Sequence, residues 1–274
     1  MNIGKALKTA IKAVIWKVMP RNGPYLVVRT LFGPCRGLHL RIDARFESSY
    51  WLGTYDRQIV NRIREWVRPG DVAWDCGAFL GYYGAAMRLA AGSKGEVHLF
   101  EASSTNFERT SLLPGLNGWS NVLAHRVAVG EDHARIRFAG RCGAASGPID
   151  MPGKDLDLTG MHVEEVESAG IDELVYERGF RPPRFLKFDL EAAECFALAN
   201  GARLWREQRP TLLIELHRTG LDRTPPAFAA AETFLRTFDY VAMEVHRNVA
   251  VATSDDLIRV EATGTQCMIL ATPR

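Results

Sequence analysis

Short apolar runs alternate along the chain with segments in which apolar residues recur every three or four positions. The apolar runs predict strands over 71–75, 96–101, 122–128, 184–189, 211–216, 240–246 and 265–271. The segments with helical periodicity predict helices over 80–91, 104–113, 171–178, 193–204 and 226–237. This alternation predicts an α/β fold built on a doubly wound, mostly parallel sheet of seven strands.

The residues before this alternating region form a separate N-terminal part, predicted over 1–68, and the main domain follows over 69–274. Residues 1–19 predict a helix with apolar residues on one face and lysines on another. Such a helix can lie on an anionic membrane surface or pack on its own domain or on a second subunit of a homodimer. Two short strand-like runs, within 25–31 and 37–42, predict a hairpin, and 57–67 predicts an amphipathic helix.

The region between the first two strands of the main domain predicts a ligand-binding turn. Asp75 ends the first strand, Gly77 and Gly81 follow at a spacing of four, and a helical segment begins directly afterwards. Glycines permit the backbone angles of a tight turn and a close approach of a ligand to the backbone. The second strand ends in Glu101, at the position where a carboxylate holds a ribose diol in nucleotide-binding α/β folds. The two strand ends therefore predict a site for a nucleoside.

The charge of this turn indicates which nucleoside cofactor it accepts. A dinucleotide-binding turn has the pattern G-x-G-x-x-G, whereas this turn has D-x-G-x-x-x-G and begins with Asp75. A carboxylate there disfavours a pyrophosphate and suits a ligand with an ammonium group, such as S-adenosylmethionine (SAM). An NAD-dependent oxidoreductase on a similar sheet remains the alternative.

A second group of polar residues follows two later strands, and it predicts the chemistry of the site. Asp189 and Glu191 come after one strand, and Glu215 and His217 end the next. Ligands of open parallel sheets bind outside the carboxyl ends of the strands, so these residues should face the same crevice as Glu101. They can position a substrate hydroxyl or accept its proton, or they can bind a divalent metal ion. Proton transfer or hydroxyl positioning is the favoured interpretation, with no metal assigned, and Glu194 is interpreted as a cap of the following helix.

Composition narrows the possible partners. The net charge of +2 gives no reason to expect a nucleic acid partner. The five scattered cysteines form no C-x-x-C pair, which favours a reducing cytoplasm over a disulfide framework or zinc site. Residues 140–160 are rich in glycine, proline and aspartate and predict a long loop at the substrate site. No apolar run reaches the length of about 18 residues that a transmembrane helix requires.

Several motifs resemble those of FkbM-family methyltransferases, mainly across 50–220. The family pattern D-V-G-A-N-x-G-Y-Y is similar to D-C-G-A-F-L-G-Y-Y at 75–83, and F-E-P-x-P-x-N-F to F-E-A-S-S-T-N-F at 100–107. The pattern I-K-I-D-V-E-G-A-E is similar to L-K-F-D-L-E-A-A-E at 186–194, and E-x-H is matched at 215–217. The family's G-x-Y-E element is similar to G-T-Y-D at 53–56. The chain departs from these patterns at Phe79, where the family has Asn, and at Ala192, where it has Gly.

The resemblance implies a class I methyltransferase (Rossmann-like) fold with an antiparallel last strand, and O-methylation of a sugar or natural-product hydroxyl with SAM. It implies that the cofactor-binding residues are Asp75, Gly77, Ala78, Gly81, Glu101, Ala102 and Asn106. The catalytic candidates are Asp189, Glu191 and His217. The departures at Phe79 and Ala192 leave a non-catalytic SAM-binding or membrane-surface module as a further alternative.

Overall fold

The computed structural model describes residues 25–140, 147–148, 162–218, 224–262 and 267–274. The strands within these residues are β1 (Leu26–Arg29), β2 (His39–Ile42), β3 (Val72–Cys76), β4 (Glu96–Phe100), β5 (Val122–His125), β6 (Ala128–Val129), β7 (Ala134–Gly140), β8 (Gly147–Pro148), β9 (His162–Ala169), β10 (Phe185–Phe188), β11 (Thr211–Leu216), β12 (Tyr240–Glu244), β13 (Val249–Val251) and β14 (Cys267–Pro273). The helices are α1 (Ser48–Trp51), α2 (Arg57–Trp66), α3 (Tyr82–Ala91), α4 (Ser104–Thr110), α5 (Leu113–Asn117), α6 (Glu194–Ala199), α7 (Ala202–Glu207), α8 (Pro226–Thr237) and α9 (Ser254–Glu261), and Glu173–Glu177 forms a π-helical turn.

The main sheet has the strand order β13-β12-β14-β11-β10-β3-β4-β5. Strands β5, β4, β3, β10 and β11 run parallel to one another, and β14 runs antiparallel between β11 and β12. The predicted α/β class and the antiparallel last strand are therefore confirmed. Within the described residues this sheet has eight strands rather than seven, because β13 pairs with β12 as a short antiparallel hairpin.

Two hydrophobic clusters cover the two faces of this sheet. Neighbouring residues of one strand belong to different clusters: Trp74 belongs to the cluster that contains residues of α7 and α8, whereas Ala73 belongs to the cluster that contains residues of α2 and α3. Side chains alternate between the faces of a strand, so a strand with helices on both faces must be apolar throughout. All five residues of β3 are buried, including the acid Asp75. Every position on this central strand is buried, so Asp75 is buried although it is an acid.

A second sheet, of order β6-β9-β7-β8, stands between β5 and β10 in the chain and was missed by the sequence prediction. The strand predicted over 122–128 ends at His125, and Ala128–Val129 pairs with the second sheet instead. The loop predicted over 140–160 is wrong at Gly140 and at Gly147–Pro148, which are paired strand residues. The rest of that predicted loop lies outside the described residues.

Two predicted helices are each divided into two shorter ones. The segment predicted over 193–204 contains α6 and α7, which are separated by Asn200 and Gly201. A side chain at Gly201 would approach the Trp205 ring to 2.3 Å, so this close packing requires a glycine where the first helix ends. The segment predicted over 104–113 likewise contains α4 and the start of α5.

The described N-terminal residues pack directly against the main domain. Strands β1 and β2 form the predicted antiparallel hairpin, and α2 confirms the helix predicted over 57–67. Residues of β2 and α2 share a hydrophobic cluster with α3 and β4. The helix predicted over 1–19 lies outside the described residues. No helix in the described part of the chain combines the length and the hydrophobicity needed to cross a membrane.

Candidate active site

A cavity of about 540 Å³ opens at the carboxyl ends of β3, β4, β10 and β11. Its volume lies within the range of small-molecule sites, roughly 300–1,000 Å³. Eight of the ten site residues predicted from the sequence line it: Gly77, Ala78, Glu101, Ala102, Asn106, Asp189, Glu191 and His217. The other two, Asp75 and Gly81, lie behind the cavity wall. The prediction that both groups of polar residues share one crevice is therefore consistent with the geometry.

The turn after β3 has a backbone that requires glycine at two positions. Gly77 has a φ of +81°, and a Cβ there would lie 1.9 Å from the backbone oxygen of Asp189. The N–H groups of Gly77 and Ala78 both donate to the Phe100 carbonyl at 3.0 Å. Gly81 has a φ of +79°, and a Cβ there would meet the Leu113 side chain at 2.6 Å. These glycines bring the turn against the ends of β4 and β10.

The Glu101 carboxylate is fixed at the cavity wall by backbone donors. One oxygen accepts from the Phe79 N–H at 2.7 Å and the other from the Ser103 N–H at 2.9 Å. The residue is 5% exposed, and burial raises its pKa to about 7, although the hydrogen bonds from Ser103 and Phe79 oppose this rise. Each carboxylate oxygen can accept a further hydrogen bond, so Glu101 can still bind a diol from the cavity.

A buried polar network behind Glu101 connects the cofactor side of the cavity to the N-terminal part. Asn106 accepts from Arg109 at 2.8 Å, and Arg109 donates to both oxygens of Glu47 at 2.7 and 2.9 Å. The Arg109 guanidinium also lies 4.9 Å from the centroid of the Phe79 ring. Asn106, which was predicted to bind the cofactor, therefore also holds the residues around Glu101 in place.

Asp75 has a different environment from the one that the sequence predicted. Its side chain is fully buried, with one oxygen accepting from the Gly84 N–H at 2.7 Å and the other 3.5 Å from the Lys187 ammonium. Asp75 is not among the residues that line the cavity, and its predicted contact with a ligand ammonium remains a prediction. Asp75 supports the start of α3 and balances the charge of Lys187.

Lys187 lies between Asp75 and Asp189, and it was not predicted as a site residue. It is 1% exposed, lines the cavity, and lies 3.2 Å from an Asp189 oxygen and 4.8 Å from the Tyr83 ring centroid. Burial disfavours its charge, but Asp189 and Asp75 outweigh burial and raise the pKa of Lys187 above its usual range. Lys187 is therefore a permanent cation at this end of the cavity.

Asp189, Glu215 and His217 converge across the ends of β10 and β11, and we call them the acid–histidine cluster. The His217 Nε2 lies 3.8 Å from an Asp189 oxygen and 3.7 Å from a Glu215 oxygen. All three side chains line the cavity, and one atom from each lies within 4.8 Å of the others. Glu215 is 5% exposed, and burial together with the Asp189 charge raises its pKa to about 7. These three residues have donor atoms of the types that bind divalent metals.

Glu194, which was interpreted as a helix cap, also orients His217. Its buried carboxylate accepts from the Leu190 N–H at 3.0 Å and contacts the His217 Nδ1 at 2.8 Å. Burial lowers the pKa of His217, but the hydrogen bond and charge of Glu194 outweigh burial and raise it to about 10. His217 therefore carries a proton at neutral pH, so the predicted role of proton acceptor does not suit it in this state.

The segment between Asp189 and Glu194 has an uncommon backbone. Glu191 has a φ of +52° and Ala192 a φ of +86°, both in the left-handed region that non-glycine residues rarely adopt. The family pattern has glycine at the position of Ala192, and this backbone explains why. Glu191 lines the cavity, and its catalytic role remains a prediction.

Aromatic and apolar side chains complete the wall. Tyr50 and Tyr55 stack with ring centroids 4.1 Å apart, and Tyr83 donates to Asp56 through its hydroxyl. On the opposite side, β7 contributes Ile136 and Phe138, which the sequence analysis did not single out. The alternation A-R-I-R-F-A at 134–139 is a strand signal that could have found them.

The chain is similar to several solved methyltransferase structures at low sequence identity. Methyltransferase FkbM from Methylobacillus flagellatus KT is 17% identical, with a TM-score of 0.47 over 82% of this chain and 52% of that chain. A putative rRNA-methylase from Clostridium thermocellum is 12% identical, with a TM-score of 0.45 over 78% and 91%. Fibrillarin from Aeropyrum pernix, in complex with SAM, is 8% identical, with a TM-score of 0.42 over 75% and 67%.

The chain spans about half the length of the Methylobacillus protein. No curated protein sequence matches it significantly.

A family model gives a more specific match. Residues 75–242 match the methyltransferase FkbM domain, which is more than half of the chain. The matched region begins at Asp75 and includes Glu101, Lys187 and the acid–histidine cluster, and so contains the polar residues at the carboxyl ends of all four strands that border the cavity. The chain belongs to the FkbM methyltransferase family.

Proposed function

We propose that this protein transfers the methyl group of SAM to a hydroxyl oxygen of a small molecule or glycan. The observation that supports this most directly is the single cavity that contains both the Glu101 carboxylate and the acid–histidine cluster. Glu101 provides a place for the nucleoside, and the cluster provides acceptors for a hydroxyl proton at the other strand ends. Because the chain belongs to the FkbM methyltransferase family, we expect the reaction to be a methyl transfer.

The residues on the cofactor side fit SAM better than a dinucleotide. Glu101 offers oxygens to the two ribose hydroxyls, and Gly77 and Ala78 form the adjoining wall. The carboxylates around the cavity favour a cationic sulfonium over a pyrophosphate, since unlike charges attract across a site of low dielectric constant. When bound, SAM supplies an electrophilic methyl group that needs no further activation. These features favour a methyltransferase over the alternative of an NAD-dependent oxidoreductase.

On the acceptor side, Asp189 is the residue best placed to orient a hydroxyl and accept its proton. Lys187 holds one of its oxygens at 3.2 Å, which fixes the carboxylate and leaves the second oxygen toward His217. His217 directs Nε2 toward Asp189, 3.8 Å away, and in its protonated state would attract the Asp189 carboxylate or the acceptor. Glu191 provides further negative charge at the rim. Most of the rate enhancement then comes from holding the acceptor oxygen in line with the methyl group.

The identity of the acceptor and of other partners remains predicted. We expect a small molecule or glycan rather than a nucleic acid. The stacked Tyr50 and Tyr55 form a flat wall that suits a sugar or an aromatic ring. Membrane contact or homodimer formation through 1–19, and a cytoplasmic location, likewise remain predictions.

Calorimetric titration tests the cofactor and the catalytic residue separately. The wild type should bind SAM and S-adenosylhomocysteine but not NADH, and Glu101→Ala should weaken this binding by about tenfold or more, the loss of one good charge-assisted interaction. Asp189→Asn should keep S-adenosylhomocysteine binding and lose transfer of a labelled methyl group to hydroxylated acceptors. Wild-type affinity in Glu101→Ala, or undiminished transfer by Asp189→Asn, would contradict the proposal.

A further inference from the structure

The acid–histidine cluster has the arrangement of a metal site that the sequence left as the less favoured alternative. The sequence indicated that Asp189, Glu215 and His217 lie near one another, but it could not tell in which direction their donor atoms point. Two features of the structure support a metal site: the orientation of the His217 ring and the lack of hydrogen bonds to the Glu215 carboxylate within the described residues. The first feature directs a donor atom at the cluster, and the second leaves a donor group available to a ligand.

The first observation is the fixed orientation of the His217 ring. The buried carboxylate of Glu194 holds Nδ1 at 2.8 Å, which leaves Nε2 directed at the other two members of the cluster. Histidines that bind metals commonly have one ring nitrogen on the ion and the other hydrogen-bonded to a carboxylate. Glu194 therefore occupies the position that an outer carboxylate takes in such a site.

The second observation is the isolation of the Glu215 carboxylate. Glu215 is 5% exposed and lines the cavity, yet its side chain makes no hydrogen bond within the described residues. Its nearest ion-pair contact there is the His217 Nε2, at 3.7 Å. A buried carboxylate without hydrogen bonds is costly, so a ligand that binds its oxygens would be favoured.

The charges around the cluster also favour the binding of a cation. Within the part of the chain that the structure describes, four carboxyl groups lie within 4 Å of the Lys187 ammonium or the His217 ring, and they belong to Asp75, Asp189, Glu194 and Glu215. A bound SAM adds about one positive charge, so negative charge remains in excess. A doubly charged cation would balance that excess at the point where three donors meet.

From this arrangement we propose that Asp189, Glu215 and His217 bind one divalent metal ion, with Glu194 as the outer carboxylate of His217. The ion would take the place of the proton on His217 Nε2, which would be released to solvent. Ligand atoms around one such ion lie about 3 to 3.5 Å apart, whereas His217 Nε2 lies 3.7 and 3.8 Å from the two carboxylates and the three donor atoms lie within 4.8 Å of one another, so binding requires side-chain rotations that draw them closer together. Two carboxylates and one imidazole suit Mn²⁺ or a neighbouring transition metal better than Ca²⁺. Three protein ligands leave coordination positions open to water or substrate.

If the protein is a methyltransferase, as proposed above, the metal ion would also determine which acceptors bind. An ion with open positions would bind oxygen atoms of the acceptor and hold the reacting hydroxyl. Acceptors with two adjacent oxygen atoms, such as a diol or a hydroxy acid, can occupy two of these positions. This is the class of acceptor that the site would select.

Titration of the metal-stripped full-length protein with Mn²⁺, followed by electron paramagnetic resonance of the free ion, tests the site. One Mn²⁺ should bind per chain, and Glu215→Gln and His217→Gln should each weaken binding by about tenfold or more. Glu131→Gln is the matched control, since Glu131 also lines the cavity but lies outside the cluster, and its affinity should match the wild type. A nitrogen coupling in the bound spectrum should disappear in His217→Gln.

Two results would overturn the site: no binding of Mn²⁺ at submillimolar concentration, or binding that Glu215→Gln leaves unchanged. Either would mean that the proton on His217, rather than a metal ion, balances the cluster. Titration of the same samples with S-adenosylhomocysteine separates this outcome from failure of the proposed function. Circular dichroism of each variant shows whether a loss of binding comes from unfolding.

Discussion

Protonation of Glu101 should control how tightly the protein binds the nucleoside of its cofactor. Burial raises the pKa of this carboxyl group from 4.5 to about 7 in the free protein. Ribose hydroxyls donate hydrogen bonds, and an ionised carboxylate accepts them better than a protonated one. The affinity for nucleosides should therefore be weak below pH 7, rise through about pH 7, and level off above it.

The size of the effect follows from the pKa. A group with a pKa of about 7 is mostly protonated at pH 6 and mostly ionised at pH 8, so the affinity should rise about tenfold between them. The suitable ligand is 5′-methylthioadenosine, which has the ribose diol but neither the amine nor the carboxylate of SAM. Calorimetry at pH 6 in two buffers of different ionisation enthalpy should show release of nearly one proton on binding.

Three variants test whether Glu101 causes the pH dependence of nucleoside binding. Glu101→Gln has no ionisable group at the position, so its affinity should be low and independent of pH. Glu215 also has a pKa of about 7 and lines the same cavity, so Glu215→Gln must be examined, and it should keep the full pH dependence. Glu131→Gln should also keep it. A wild-type affinity that does not change with pH, or a slope that persists in Glu101→Gln, would refute the reasoning.

Three further predictions concern stability, each measured by urea denaturation. Gly77→Ala should prevent stable folding or cost several kcal/mol, because its Cβ would lie 1.9 Å from a backbone oxygen, whereas Gly70→Ala, with a similar φ but open space, should cost only about 1–2 kcal/mol. Ala192→Gly should stabilise the protein by about 1 kcal/mol because it relieves a φ of +86°, whereas Ala193→Gly, at a φ of −84°, should destabilise it. Lys187→Met should cost roughly 3 kcal/mol or more because it leaves buried carboxylates without their cation, and a cost below 1 kcal/mol would contradict that account.

The sequence was sufficient to predict the parallel strands of the main sheet and to bring most of the predicted site residues to one cavity, for a physical reason. An apolar run followed by an acid or a glycine marks the carboxyl end of a parallel strand, and such ends meet at one edge of the sheet. Glu101, Asp189 and His217 were placed correctly at the cavity by this reasoning. Their distances and hydrogen-bond partners depend on packing between strands far apart in the chain, and no local pattern records these.

The errors also have identifiable causes. For Asp75 the sequence did not indicate the partners that the structure shows: its carboxylate accepts from the Gly84 N–H and lies 3.5 Å from the Lys187 ammonium, so contact with a ligand remains a prediction. Helix α9 was missed although Thr253 and Asp256 form a capping box, which is a readable start signal. Strands β7 and β9 were missed because the segment between them, 140–160, is rich in glycine and proline, which is typical of a loop rather than of a hairpin.

The departure at Phe79 does not remove the interaction that this turn provides. Phe79 has a φ of +55°, in the left-handed region, where Asn is the most favoured residue after Gly. The backbone conformation by itself gives a reason for Asn at this position in the family pattern. Phe79 retains the contact that matters to Glu101, because its backbone N–H makes that hydrogen bond at 2.7 Å. Stacking of its ring with Arg109 helps to offset the cost of the backbone conformation, so the chain holds the carboxylate in place with a residue that the family pattern disfavours.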